Sequence, residues 1–163
     1  MANPKTAYET FTRTLSHLLA AKTGGDVKKL HELAGKMSGR GAGASLKGHM
    51  FESFVRQMPE FSGSGRKYFH PSAVPGLTQP RNFDLFDDAT GAMWEVKYTT
   101  SKVPPKQIDD YAKILASERK GNPGAAINYL FATKEMAEKN RHLISRGFLV
   151  HYLDAAGKRV PLV

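Results

Sequence analysis

The stretch from Ala125 to Ala132 (AAINYLFA) is apolar almost throughout and only as long as a strand. Such a run has no polar face to offer water, so it calls for cover on both sides, as a central strand of an α/β sheet receives. The segments around it can provide that cover. Val103-Pro104-Pro105 leads into a helix predicted over about residues 106–119, with Ile108, Tyr111, Ile114 and Leu115 inward, and Gly121-Asn122-Pro123-Gly124 breaks it. A helix over about residues 134–145 and a strand over about 147–153 follow. Upstream, Asn82 to Phe86 and Met93 to Thr99 read as strands flanking Asp87-Asp88-Ala89-Thr90-Gly91, a hairpin turn in which Gly91 is free to take positive φ.

The N-terminal third is helical in pattern. Tyr8, Phe11, Leu15, Leu18 and Leu19 recur at helical spacing and predict a helix over about residues 5–22. Thr23-Gly24-Gly25 stops it, and Asp26 can cap a second helix presenting Val27, Leu30, Leu33 and Met37. Ser38 to Ser45 (SGRGAGAS) reads as a flexible joint; it lacks the Gly-Lys-Ser/Thr ending of a phosphate loop. Leu46 to Met58 is the next helix, ended by Pro59, and Phe61 to Arg81 is irregular with a strand around Lys67 to His70. The expected architecture is an α/β fold with a mixed central β-sheet flanked by helices and an N-terminal helical extension. The expected division is residues 1–45 as helical extension and joint, and 46–163 as the core.

The 24 Lys and Arg against 15 Asp and Glu leave a formal net charge of +9. A surplus of that size favours a polyanionic partner, nucleic acid being the commonest. The absence of cysteine excludes disulfides, thiolate metal sites and Cys nucleophiles. No apolar run approaches bilayer length, and Glu9, Arg13 and His17 interrupt the N-terminus, so a soluble chain without a membrane partner is expected. The six histidines are scattered, with no His-Asn-His grouping, and no Gly-x-Ser-x-Gly elbow appears.

The residues that can do chemistry lie in the hairpin. On a strand, alternate side chains share a face, so Glu95 and Lys97 point one way and Val96 the other. Asp84 stands on the partner strand between Phe83 and Leu85. Two carboxylates and an ammonium at one place suit Mg²⁺ or Mn²⁺, held by carboxylate oxygens and a backbone carbonyl, with Lys97 orienting the attacking water. That is apparatus for phosphodiester hydrolysis. The plain alternative is a solubilising Glu-Lys alternation on a surface strand, but acids set within apolar strands are costly without a task.

An acid-bearing helix (Gly48-His49-Met50-Phe51-Glu52), Asp84 on the first hairpin strand, Glu95-Val96-Lys97 on the second and Gln107 early in the next helix together resemble the PD-(D/E)XK, restriction-endonuclease-like, nuclease superfamily over about residues 46–153. The resemblance implies Asp84, Glu95 and the Val96 carbonyl as metal ligands and Lys97 as the catalytic lysine. Glu52 would be an additional acid at the site, and Gln107 would orient water or phosphate. The chain departs from the pattern in having Phe83 rather than proline before Asp84. Arg66, Lys67, Arg81, Lys102 and Lys106 surround the motif in sequence and suit phosphate contacts.

Within the superfamily, the size, the basic charge and the Phe-Asp…Trp-Glu-Val-Lys core are most similar to toxin domains of bacterial polymorphic and contact-dependent systems and secretion effectors. That implies a DNase exported from its producer, acting in the target-cell cytoplasm and neutralised by an acidic immunity protein. A junction-resolvase-like repair nuclease, a tRNase toxin and a non-catalytic nucleic-acid-binding module stay open as alternatives.

Overall fold

A computed structural model describes residues 4–37 and 40–163. Three helices come first: α1 (Pro4–Lys22), α2 (Val27–Gly35) and α3 (Gly41–Arg56), the last leading through a 3-10 turn (Pro59–Phe61) into the sheet. Strands β1 (Gly65–Phe69), β2 (Arg81–Asp87) and β3 (Ala92–Lys97) form an antiparallel meander. Helix α4 (Pro105–Gly121) crosses back to β4 (Ala126–Phe131), which runs parallel to β3. Two short helices, α5 (Lys134–Lys139) and α6 (His142–Ser145), lead to β5 (Leu149–Leu153), parallel to β4. Finally β6 (Arg159–Pro161) returns antiparallel along β5. The six strands therefore lie side by side in sequence order. This is the expected α/β architecture of N-terminal helices followed by a mixed sheet with helices packed on it.

Local chemistry accounts for the element ends. Gly24 and Gly25 take φ of 59° and 81° and turn the chain out of α1. The Asp26 carboxylate then accepts from the Lys28 amide at 2.9 Å and caps α2, an arrangement worth about 1 kcal/mol. In the hairpin, Gly91 adopts φ 76° and donates its N–H to Asp87 O at 2.8 Å. The Asp87 carboxylate binds Ala89 N and Thr90 Oγ1, so this acid shapes the turn. Strand β4 is buried from Ile127 to Phe131, as its sequence demanded.

Three elements differ from the sequence expectation. Helix α3 begins at Gly41, so most of the glycine-rich joint is helical; Ser38 and Gly39 lie outside the described residues. Packing against α1 overrides the poor helix propensity of the glycines. The helix expected over 134–145 is broken at Asn140 and Arg141. There the buried Asn140 amide donates to Met136 O and Ser101 O, and its carbonyl accepts from Val103 N. Strand β6 was not expected. Among the described residues no helix is long and apolar enough to cross a membrane.

The two sheet faces carry different helices. Trp94 meets Phe61 just beyond α3, and Tyr98 meets Phe51 on α3. Glu95 and Tyr129 instead meet Tyr111 on α4. The site lies where residues from both faces reach one cleft.

Candidate active site

A β-bulge sets the direction of Asp84. Gly65 stands opposite Phe86 while Lys67 stands opposite Phe83, so Asp84 and Leu85 together face the single residue Arg66. Phe83 contacts Tyr111 on the α4 side, and Phe86 lies under Lys67, which pairs with Glu118 of α4. Simple alternation would put Phe83 and Phe86 on opposite faces; the extra residue puts both toward α4 and turns Asp84 toward α3. There it meets Glu52.

Immediately beyond the bulge the strands part. Pairing between β2 and β3 runs through Asp87↔Ala92, Phe86↔Met93 and Leu85↔Trp94, and goes no further toward Asp84 and Glu95. Past that point β2 pairs with β1 alone and β3 with β4 alone. A cleft of about 190 Å³ opens at the fork, lined by Ser45, His49, Glu52, Asp84, Glu95 and Val96 among others. Acids from α3, β2 and β3 thus border one space.

The acids form two linked groups. In the first, Glu52 lies 3.6 Å from Arg56 Nε and 3.8 Å from His49 Nδ1, and Asp84 lies 3.7 Å from Arg66. Arg56 also donates to the Asp84 backbone carbonyl. Burial pushes the Asp84 carboxyl up to about 6, and hydrogen bonding and charge from Glu52 add to the rise against Arg66 and Arg56. Glu52 moves down: burial raises it, but hydrogen bonds with His49 and Asp84, with the Arg56 charge, outweigh that. At mildly acidic pH the pair therefore keeps one proton, on Asp84.

In the second group, Tyr111 donates to Glu95 Oε2 at 2.7 Å, and Lys97 Nζ lies 3.4 Å from Glu95 Oε1. Burial raises the Glu95 carboxyl, opposed by the Lys97 charge and the Tyr111 hydroxyl, while the Glu52 charge adds to the rise. Burial and the Glu95 charge push the Tyr111 hydroxyl well above its ordinary range, so it remains a donor. Tyr129 donates in turn to Gln107 Oε1 at 3.2 Å, which places Gln107 beside this group.

Asp84 yields a pH-dependent prediction. The unfolded chain releases this proton near 3.8 and the folded chain near 6, so stability falls as pH rises between those values and the deficit is constant above them. With the side chain 29% exposed and Glu52 acting in the opposite sense, the deficit is about 1–2 kcal/mol. Asp84→Asn imitates the protonated form. Urea titration in EDTA should find it more stable than wild type by that amount near pH 7.5 and equal to it near pH 3.5. An Asn variant less stable at both values would mean that the arginines hold the Asp84 charge favourably.

The predicted basic residues are placed unequally. Arg66 stands at the site against Asp84. Lys67 pairs with Glu118 at 3.1 Å and Arg81 with the fully buried Asp110 at 2.8 Å, both away from the cleft. Lys102 and Lys106 are exposed, in the β3–α4 connection and the first turn of α4. Sequence reasoning missed His49, Arg56 and Tyr111. For the first two a signal existed, since positions 49, 52 and 56 fall on one face of a helix. Tyr111 read only as a core residue, and nothing in the sequence tied its hydroxyl to Glu95.

Among the described residues no three His, Asp or Glu side chains are gathered into a ready-made metal site. A divalent ion here would rely on Asp84, Glu95 and the Val96 carbonyl, with Glu52 adjoining. These are hard oxygen donors bordering an open cleft, and burial together with Glu52 disfavours the Asp84 charge, which a cation in the cleft would stabilise. The donor set fits Mg²⁺ or Mn²⁺. Comparisons with family models, with curated proteins and with solved structures give no match to this chain.

Proposed function

We propose that the chain is a Mg²⁺- or Mn²⁺-dependent nuclease of the PD-(D/E)XK type that cleaves DNA. The observation that carries this reading is the fork between β2 and β3, where acids from α3, β2 and β3 border one cleft and Lys97 stands beside Glu95. The order α3, β1, β2, β3, α4, β4 supports it, because each residue of the resemblance falls on the element the superfamily assigns to it: Glu52 on the helix, Asp84 and Glu95-Val96-Lys97 on the hairpin, Gln107 on the crossover helix.

A bound divalent ion supplies Lewis acidity toward the phosphate and lowers the pKa of water. The chain's own residues do the rest. Tyr111 and Lys97 fix both oxygens of Glu95. Lys97 carries a positive charge to the place where negative charge develops on the phosphoryl oxygens. Arg66 and Arg56 hold positive charge on the Asp84 side of the fork, where a phosphate backbone would otherwise be repelled by Glu52 and Asp84.

Supercoiled plasmid incubated with the purified chain should be nicked and linearised in Mg²⁺ or Mn²⁺ and left intact in EDTA. A chain that retards DNA equally with ion or chelator and cuts neither DNA nor tRNA would be a binding module instead. The toxin role that accompanies the resemblance predicts growth arrest on expression in bacteria, relieved by Asp84→Ala. The net charge of +9 suits an acidic neutralising partner as well as it suits DNA.

A further inference from the structure

We propose that the nuclease holds the strand it cuts locally unpaired, with one base in a cavity lined by Trp94, Phe61 and Arg159 beside the acid cleft. The inference rests on the nuclease reading and names the substrate form that the same groove admits.

Three openings adjoin one another along the α3 face. At one end Arg13, Arg56 and Arg66 gather with His17 around the outer side of Glu52. This group shares His49 and Glu52 with the acid cleft. The cleft in turn shares Trp94 with a larger cavity of about 330 Å³, lined also by Phe61, Ser62, Ser64 and Arg159. The groove is therefore basic at one end, acidic in the middle and aromatic at the other.

Each part has a chemical counterpart in a nucleic-acid strand. The arginines suit a backbone phosphate: Arg66 keeps much of its side chain exposed beside Asp84, and Arg13 and Arg56 line the same opening. The acids flank the bond to be cut. The aromatic cavity falls within the range of about 300–1,000 Å³ usual for small-ligand pockets. Its walls set Trp94 and Phe61 among the hydroxyls of Ser62 and Ser64, the carboxylates of Glu60 and Asp87 and the Arg159 guanidinium. Arg159 is held in place by Glu60 at 2.7 Å and by His151 at 3.0 Å, over the Trp94 ring at 5.3 Å. Two aromatic rings set among fixed donors and acceptors suit a heterocyclic base, which has a flat face and a polar edge, and only an unpaired base can leave its stack to enter. A short linear duplex keeps its bases out of this cavity, whereas a supercoiled plasmid opens locally and can supply one.

Trp94 is the chain's single tryptophan, so its fluorescence reports on the cavity directly. The full chain in EDTA, where no cutting occurs, is titrated with short oligothymidylate, oligouridylate and a duplex of equal length. Quenching or a spectral shift that saturates with a single strand and is at least about tenfold weaker with duplex is the expected result. Arg159→Ala should weaken single-strand binding, read by anisotropy of a labelled oligonucleotide, by about tenfold. Equal responses to single strand and duplex, or no response to either, would overturn the proposal. A plasmid that is cut in Mg²⁺ despite a silent Trp94 would remove this subsite and keep the nuclease. A single-strand signal from a chain that cuts nothing would keep the subsite and remove the nuclease.

Discussion

Lys97→Ala is expected to cut DNA about 10²–10³-fold more slowly than wild type in Mg²⁺, the usual loss when one preorganised charge at a reacting centre is removed. Binding in EDTA should be nearly unchanged, because a single exchange at a half-buried side chain removes little of the basic surface. The loss therefore falls on kcat rather than KM. A second effect follows from the neighbouring acid. Lys97 is the largest influence holding Glu95 down against burial, so its removal moves the acid limb of the pH–rate profile toward higher pH. Lys97→Arg keeps the charge and should keep that limb in place even where the rate falls. A Lys97→Ala chain that cuts at the wild-type rate would show that the chemistry happens elsewhere.

The largest stability effect is expected away from the site. Asp110 is fully buried and accepts from Thr78 N at 3.0 Å, Thr78 Oγ1 at 2.7 Å and Arg81 Nε at 2.8 Å. The Arg81 side chain is itself only 12% exposed. Asp110→Ala strands that guanidinium, at a cost of about 3–5 kcal/mol. At about 2–4 °C per kcal/mol for a chain of this length, Tm should fall by about 10 °C. Replacing both partners, Arg81→Met with Asp110→Leu, should recover most of the loss, because the desolvated charge is then gone. If Arg81→Met alone left Tm unchanged and lowered DNA affinity, Arg81 would be the phosphate contact that its sequence position suggested.

That pair shows where sequence reading reached its limit. Arg81, like Arg66, flanks the hairpin in sequence, yet its partner lies on α4, and no local pattern announces a contact across that span. Lys67 and Glu118 are a similar case. What the sequence did make legible depends on short periods. Alternation along β3 put Glu95 and Lys97 side by side, and the unbroken apolar run of β4 placed it at the centre of the sheet. Strand β6 escaped notice because Arg159-Val160-Pro161 is too short to show a period and contains a proline, which an edge strand tolerates. The break at Asn140 was equally silent, since it depends on bonds to Ser101 and Val103 far back in the chain. The convergence of Glu52 with Asp84 needed both the helical register of α3 and the bulge in β2, and only the first is written locally.

The bulge at Asp84 and Leu85 also bears on how such a chain changes over generations. Loss of the single Asp84 codon would straighten β2 into plain alternation, preserve the apolar pattern of Phe83, Leu85 and Phe86, and remove the acid that meets Glu52. Most substitutions elsewhere in the hairpin leave the direction of Asp84 untouched. On the nuclease reading, an in-frame loss at the bulge is thus a single step, beside point changes at Asp84 and Lys97, from a cutting domain to a folded but inactive one.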